Sequence, residues 1–248
     1  MKLNMNKSLI TGAVLYTLAT QSAFAAIALD RTRVIYDGSQ KSLSLSISNE
    51  NKQLPYLAQG WIEDAKGNKI TNPLMVLPPV QRIEPGAKSQ VKVQGLPSTN
   101  NLPQDRESLF YFNLREIPPR SDKANTLQIA LQTRIKLFYR PTALMQAAGD
   151  TAKPWQENIT LTKQGNSYVV NNPTAYFVTL VEAARTVNGG MVADFEPLMV
   201  EPKNSGTLKV SVSEVGNSPV LTYINDYGGR LQLKFTCSGN HCQATPVK

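Results

Sequence analysis

The stretch NTLQIALQTRIKLFYRP runs from Asn125 to Pro141. Every second residue from Leu127 gives Leu127, Ile129, Leu131, Thr133, Ile135, Leu137 and Tyr139, with Gln128, Ala130, Gln132, Arg134, Lys136, Phe138 and Arg140 between them. A period of two is that of a β-strand with one apolar face. The pattern covers 13 positions, or roughly 44 Å at about 3.4 Å per residue, whereas strands usually run about 5–6 residues. So long a strand raises the question of what its apolar face meets; periodicity alone favours this protein's own core. Pro141 closes it, since proline cannot continue a ladder.

The sequence on either side is also β-rich. ALDRTRVIY (28–36), SLSLSIS (42–48), YLAQGWIED (56–64), SQVKVQ (89–94) and SLFYFNLREI (108–117) are short alternating runs separated by turn residues. Together with the long strand they make about seven strands, the number in an immunoglobulin-like sandwich. TALMQAAGDTAKP (142–154) has no alternation and reads as a linker. WQENITLTKQ, NSYVVNN, YFVTLVEAART, TLKVSVSEV, PVLTYINDYG and RLQLKFTCSG then supply the strands of a second, smaller sandwich. The expected architecture is all-β: two immunoglobulin-like domains, residues 26–145 and 146–248, set as an L around an interdomain cleft. Such clefts favour binding sites.

Residues 1–25 carry Lys2 and Lys7, an apolar stretch near Leu9–Leu18, and small residues at Ala23 and Ala25. This is the pattern of a secretory signal peptide cut after Ala25; the apolar stretch is too short and too interrupted for a membrane anchor. The rest of the chain has no uninterrupted apolar run of spanning length, so a soluble exported protein is expected. Of the 26 Lys and Arg residues, 24 then remain against 18 Asp and Glu. They are spread along the chain with no basic block to track a phosphate backbone, which argues against nucleic acid. In an exported chain the two cysteines, Cys237 and Cys242, read as a disulfide pinning a local turn. A metal site from Cys237, His241 and Cys242 would lack a fourth ligand.

No catalytic residues are assigned. A Ser-His-Asp or Cys-His mechanism needs a histidine base, and the only histidine, His241, lies between the two cysteines. No paired carboxylates stand out, there is no phosphate-binding glycine loop, and no cofactor or metal is expected. The glycosylation triplet Asn158-Ile159-Thr160 is a three-residue match of low specificity.

LDRTRVIYDGSQKSLSLSISN, NKQLPYLAQGWIED, PPVQRIEPGAKSQVKV, LPQDRESLFYFNLREIPPRSDKAN, LQIALQTRIKLFYRP, YINDYGGR and the terminal cysteine pair together resemble the periplasmic pilus-assembly chaperones of the PapD type. The short polar loop 118–125 is similar to that of the short-loop branch of this family. Residues 182–220 carry no matching signature. The resemblance implies a protein that folds and caps fimbrial subunits in one-to-one complexes. Each subunit is an immunoglobulin-like domain lacking one strand, completed by β-strand addition. By this resemblance Leu127, Ile129 and Leu131 are the lent residues, and Arg33 and Lys136 bind the subunit's C-terminal carboxylate. Glu107, Arg140 and Asp226 form a charge network between the domains. An outer-membrane usher is implied as a second partner, and self-association is an option for the free protein. The parity of Lys136 places it on the opposite face from Leu127. The competing expectation is a non-catalytic adhesin or binding module with two immunoglobulin-like domains.

Overall fold

The computed structural model describes residues 25–123, 125–145, 154–193 and 195–247. Residues 1–24, which hold nearly all of the expected signal peptide, lie outside them, as does most of the expected linker. The first body contains ten strands: β1 Ile27–Leu29, β2 Arg33–Asp37, β3 Ser42–Asn49, β4 Tyr56–Asp64, β5 Lys69–Ile70, β6 Leu74–Leu77, β7 Val80–Ile83, β8 Lys88–Gly95, β9 Ser108–Ile117 and β10 Gln132–Arg140. They form two sheets, β1-β3-β8-β6 and β2-β10-β9-β4-β5, with β7 paired to β4. Between them lie Val34, Leu45, Ile47, Ile62, Val91, Val93, Phe112 and Leu137, all buried.

ALDRTRVIY, expected as one strand, is two. Its first part pairs with β3 and its second runs parallel to β10, so the chain changes sheets between Leu29 and Arg33. β5, β6 and β7 bring the first body to ten strands. They are short and hidden in a proline-rich segment where alternation is broken.

The second body contains β11 Thr160–Gln164, β12 Ser167–Asn172, β13 Val178–Ala184, β14 Leu198–Val200, β15 Asn204–Ser211, β16 Val220–Ile224, β17 Arg230–Ser238 and β18 His241–Pro246. One ladder runs through all eight in the order β14-β13-β16-β17-β18-β11-β12-β15. It folds over on itself around Leu161, Tyr168, Val170, Leu180, Leu221 and Phe235. TLKVSVSEV, expected as a strand throughout, stops pairing at Ser211 and turns into the short helix Val212–Val215. Ser211 and Glu214 cap it reciprocally. The S-x-x-E spacing is the sequence signature of such a capping box. Cys237 and Cys242 are joined across the β17–β18 hairpin. Both thiols are thus consumed, which removes the thiolate ligands of the metal alternative.

The long strand is the main departure. Its ladder begins at Gln132, and residues 127–131 lie outside any strand. The last pairing bond runs from the Glu116 N–H to the Leu131 carbonyl, 3.0 Å. β9 ends at Ile117, so beyond Leu131 the described residues offer no partner strand.

Candidate functional site

β10 is the central element of the site because its two faces are buried against different things. The odd-numbered residues Ile135, Leu137 and Tyr139 pack into the first core, where Tyr139 stacks on Tyr36 with ring centroids 6.1 Å apart. The even-numbered residues Lys136, Phe138 and Arg140 point to the second body. Lys136 Nζ donates to Thr179 Oγ1 at 3.4 Å, and the Phe138 ring meets Phe177 at 5.4 Å. Arg140 is 5% exposed; it donates to Glu107 Oε1 at 2.8 Å and to the two Asp226 oxygens at 2.7 and 3.0 Å. The period of two thus separates core residues from interdomain residues on one strand.

The loop 173–177 carries the opposing surface of the second body, and Asn172 holds it. The buried amide of Asn172 donates to the Tyr176 and Glu201 carbonyls at 2.8 and 2.9 Å, while its oxygen accepts from the Thr174 N–H at 3.1 Å. The fixed loop then bonds to the first body. The Glu107 N–H donates to the Ala175 carbonyl at 2.9 Å, and Glu107 Oε2 accepts from the Phe177 N–H at 2.8 Å. The Arg140 guanidinium also lies 4.9 Å from the Tyr176 ring centre. Burial pushes the Glu107 carboxyl up, with the Arg140 charge opposing it. Burial alone would lower Arg140, but bonding to Asp226 and the Glu107 charge outweigh it and hold the guanidinium above its ordinary value. Glu107, Arg140 and Asp226 are therefore in one network, compensated and hydrogen-bonded.

Four residues before Arg140 on β10, Lys136 lies beside Arg33 of β2. They are register partners in the parallel β2–β10 pair, so their backbones are about 4.8 Å apart. Both are half-buried. Their side chains make only neutral polar contacts among the described residues: Arg33 Nη1 donates to the Ile224 carbonyl at 3.4 Å, and Lys136 to Thr179. Arg33 Nε is buried with no acceptor. Among the described residues no carboxylate is within salt-bridge distance of either. Burial holds Arg33 below its usual value, opposed by the more distant Asp226 and Glu107 charges. Burial and then the Arg33 charge lower Lys136. Two like charges held together without a counter-ion suit an incoming anion, and a carboxylate fits a guanidinium fork.

From this pair β10 leads back to residues 127–131. Leu127 is 85% exposed, Ile129 66% and Leu131 40%. Three alternate aliphatic side chains left to water are not part of this chain's own core. Glu116 marks the point of exit: its carboxylate accepts from the Leu131 N–H at 3.4 Å and from the Ile27 N–H at 3.0 Å.

Sequence reading misses several contacts of the site. Phe177 and Tyr176 fall inside a predicted strand, and Thr179 and the Ile224 carbonyl carry no motif. The one available signal is the parity of Lys136 and Phe138, which requires something on their side of the strand.

Two β-sandwich bodies, a cationic pair with no bonded carboxylate between them and an exposed apolar segment leading into β10 make up the candidate site. Similarity to known proteins narrows its reading. Residues 26–145 match the sequence model of the pili and flagellar-assembly chaperone PapD N-terminal domain, and residues 154–235 that of the pili assembly chaperone PapD C-terminal domain. The chain belongs to the PapD-type pilus-assembly chaperone family. The probable fimbrial chaperone YfcS of Escherichia coli K12 is 55% identical over 234 residues, covering 94% of this chain and 92% of its own length. The chaperone protein PapD of Escherichia coli is 50% identical over 245 residues, covering 98% of this chain and 100% of its own. Among solved structures, the periplasmic chaperone SfaE superposes with a TM-score of 0.66 at 31% identity, covering 85% of this chain and 100% of its own. The Salmonella enterica SafB chaperone, solved in complex with the SafA pilin, gives 0.67 at 25% identity, covering 91% and 98%. These relatives are chaperones, which does not favour the adhesin alternative.

Proposed function

We propose that the chain is a non-catalytic periplasmic chaperone that binds fimbrial subunits one to one. In this reading it is exported, with residues 1–25 removed after Ala25, and acts through residues 26–145 and 146–248 as its two domains. It lends residues 127–131 as the missing strand of an incomplete subunit and holds the subunit's C-terminal carboxylate at Arg33 and Lys136. Glu107, Arg140 and Asp226 set the cleft that presents this pair. The capped subunit passes to an outer-membrane usher, and the short loop 118–125 fits the short-loop branch. The observation that carries the reading is an exposed apolar row, residues 127–131, that runs directly into β10, where Lys136 lies beside Arg33 with no carboxylate bonded to either.

The magnitudes explain why both features are needed. Burying an aliphatic side chain is worth about 1.5–3 kcal/mol, so Leu127, Ile129 and Leu131 together supply roughly 5–9 kcal/mol on the same basis. Association costs about 4–15 kcal/mol in lost freedom. The apolar row alone comes close to breaking even. Main-chain bonds along 127–131 add affinity that tolerates different subunit sequences. Charge-assisted bonds to a terminal carboxylate, about 1.5–3 kcal/mol each, tip the balance. They also set the register, because a one-residue slip would turn every lent side chain to the wrong face. The test is recovery of a fimbrial subunit co-expressed with the chain. Arg33→Ala and Lys136→Ala are expected to remain folded and to lose the subunit; undiminished recovery by both would remove the anchor.

A further inference from the structure

Tyr227 is 96% exposed, yet the hairpin that carries it is held at every other position. Tyrosine is normally at least partly covered, and a rigid backbone presenting an uncovered ring is a binding feature. The hairpin joins β16 to β17. Asn225 Oδ1 accepts from the Tyr227 N–H at 3.1 Å and from the Gly229 N–H at 2.8 Å. The Asn225 N–H donates to the Gly229 carbonyl at 3.0 Å. Gly228 has φ 84°, and a Cβ there would lie 2.5 Å from Thr32 Oγ1, so the turn is pressed against the residue preceding Arg33. On one side of Tyr227, Asp226 is bonded to Arg140; further back, the Ile224 carbonyl accepts from Arg33. The residues flanking Tyr227 thus hold the hairpin against Thr32, Arg33 and Arg140, and its ring is left to solvent.

We infer that Tyr227 is a specificity-determining residue of the anchor: its ring covers the last side chains of the bound subunit, next to the carboxylate held by Arg33 and Lys136. The inference rests on the chaperone reading above and adds the chemistry of the segment recognised. Arg33 and Lys136 bind a charge that every chain terminus has, so they cannot tell one terminus from another. A tyrosine on the hairpin that bonds Arg33 can. It offers a large apolar area with only two side-chain torsions to order, and tyrosine is enriched among the few residues that dominate binding energy. The segment it fits is apolar or aromatic immediately inside the terminus. An acidic side chain there would lose its hydration against the apolar ring face. The lent strand belongs to the first domain and Tyr227 to the second. A subunit touching both is therefore held on two sides, which restricts rotation about the donated strand.

The experiment uses the full mature chain purified with a bound fimbrial subunit, and measures dissociation for the wild type, Tyr227→Ala, Tyr227→Phe and Arg33→Ala. Because the ring is left to solvent, Tyr227→Ala is expected to unfold at the wild-type temperature. It should release the subunit about tenfold faster or more, as for a residue of that class, with Tyr227→Phe close to wild type. A photo-crosslinking benzoylphenylalanine at position 227 should label the subunit within its last few residues. Unchanged release by Tyr227→Ala, or labelling only elsewhere on the subunit or only on an added usher domain, would overturn the inference. If Arg33→Ala still abolishes binding in that case, the anchor survives and only the role of Tyr227 falls. If the wild type binds no subunit, the chaperone reading fails and this inference fails with it.

Discussion

Arg140 and Lys136 share the interdomain face of β10, and they are treated in opposite ways. Arg140 is enclosed by Glu107 and Asp226 and bonded to both. Lys136 has another cation, Arg33, as its register partner and a hydroxyl as its polar contact. Desolvating a charge is costly in both places. At Arg140 the cost is offset inside the molecule, which makes that cluster structural. At Arg33 and Lys136 no carboxylate is bonded, and the Asp226 and Glu107 charges act on Arg33 only from a distance. A paired charge braces the fold; the pair with no bonded carboxylate, half-buried beside that brace, is the one proposed to take a ligand.

The comparison breaks most visibly at Arg140. Removing one partner of a buried, bonded ion cluster typically costs about 3–5 kcal/mol, and Arg140→Met is expected to lower stability by that order in urea titration. Lys136→Met should leave stability unchanged or raise it, since the lysine charge is unfavourable where it stands. A smaller effect should come from the lent segment. Ile129→Ala removes an exposed side chain, so folding should not change, while subunit affinity should fall by about 2 kcal/mol, or roughly 30-fold. A parallel loss of stability would place Ile129 in this chain's own core. The smallest effect is with pH. Burial and Arg33 lower the Lys136 ammonium in the free protein, and a bound carboxylate raises it again. A group whose value rises on binding contributes fully below its free-state value and loses that contribution as pH rises through the bound-state value. Subunit affinity should therefore be flat between the titration of the subunit's terminal carboxylate, at pH ~3.5, and the free Lys136 transition, and decline through alkaline pH. Lys136→Arg should flatten that decline.

Much of this is legible in the sequence because a period of two is local. The parity of Leu137 against Lys136 assigns them to opposite faces of one strand, and each side chain lies on the face its parity gives. The two-sandwich layout follows from runs such as Ser42–Ser48 and Ser108–Ile117, whose alternation matches a half-buried sheet. What a local pattern lacks is context. Nothing in Leu127–Leu131 distinguishes a residue with a partner strand from one without, so periodicity predicts one strand where the ladder stops at Gln132. The split of residues 28–36 depends on which sheet each half finds. Residues 73–83, with three prolines, hide the two short strands β6 and β7, whose pairing is long-range. The residues proposed for the site come from family resemblance, since periodicity alone assigns no charge to a cleft. Tyr227 escapes sequence reading because its significance lies in being uncovered, which no sequence pattern records.

The most direct measurement of the central claim is calorimetric affinity for a fimbrial subunit with a free C-terminal carboxylate and for the same subunit amidated there, each against the wild type and the Arg33→Ala/Lys136→Ala double variant. The account predicts a large loss of affinity on amidation in the wild type, a similar loss for the double variant with the free carboxylate, and little further loss when the two changes are combined. Equal affinity of the wild type for both subunits would contradict it.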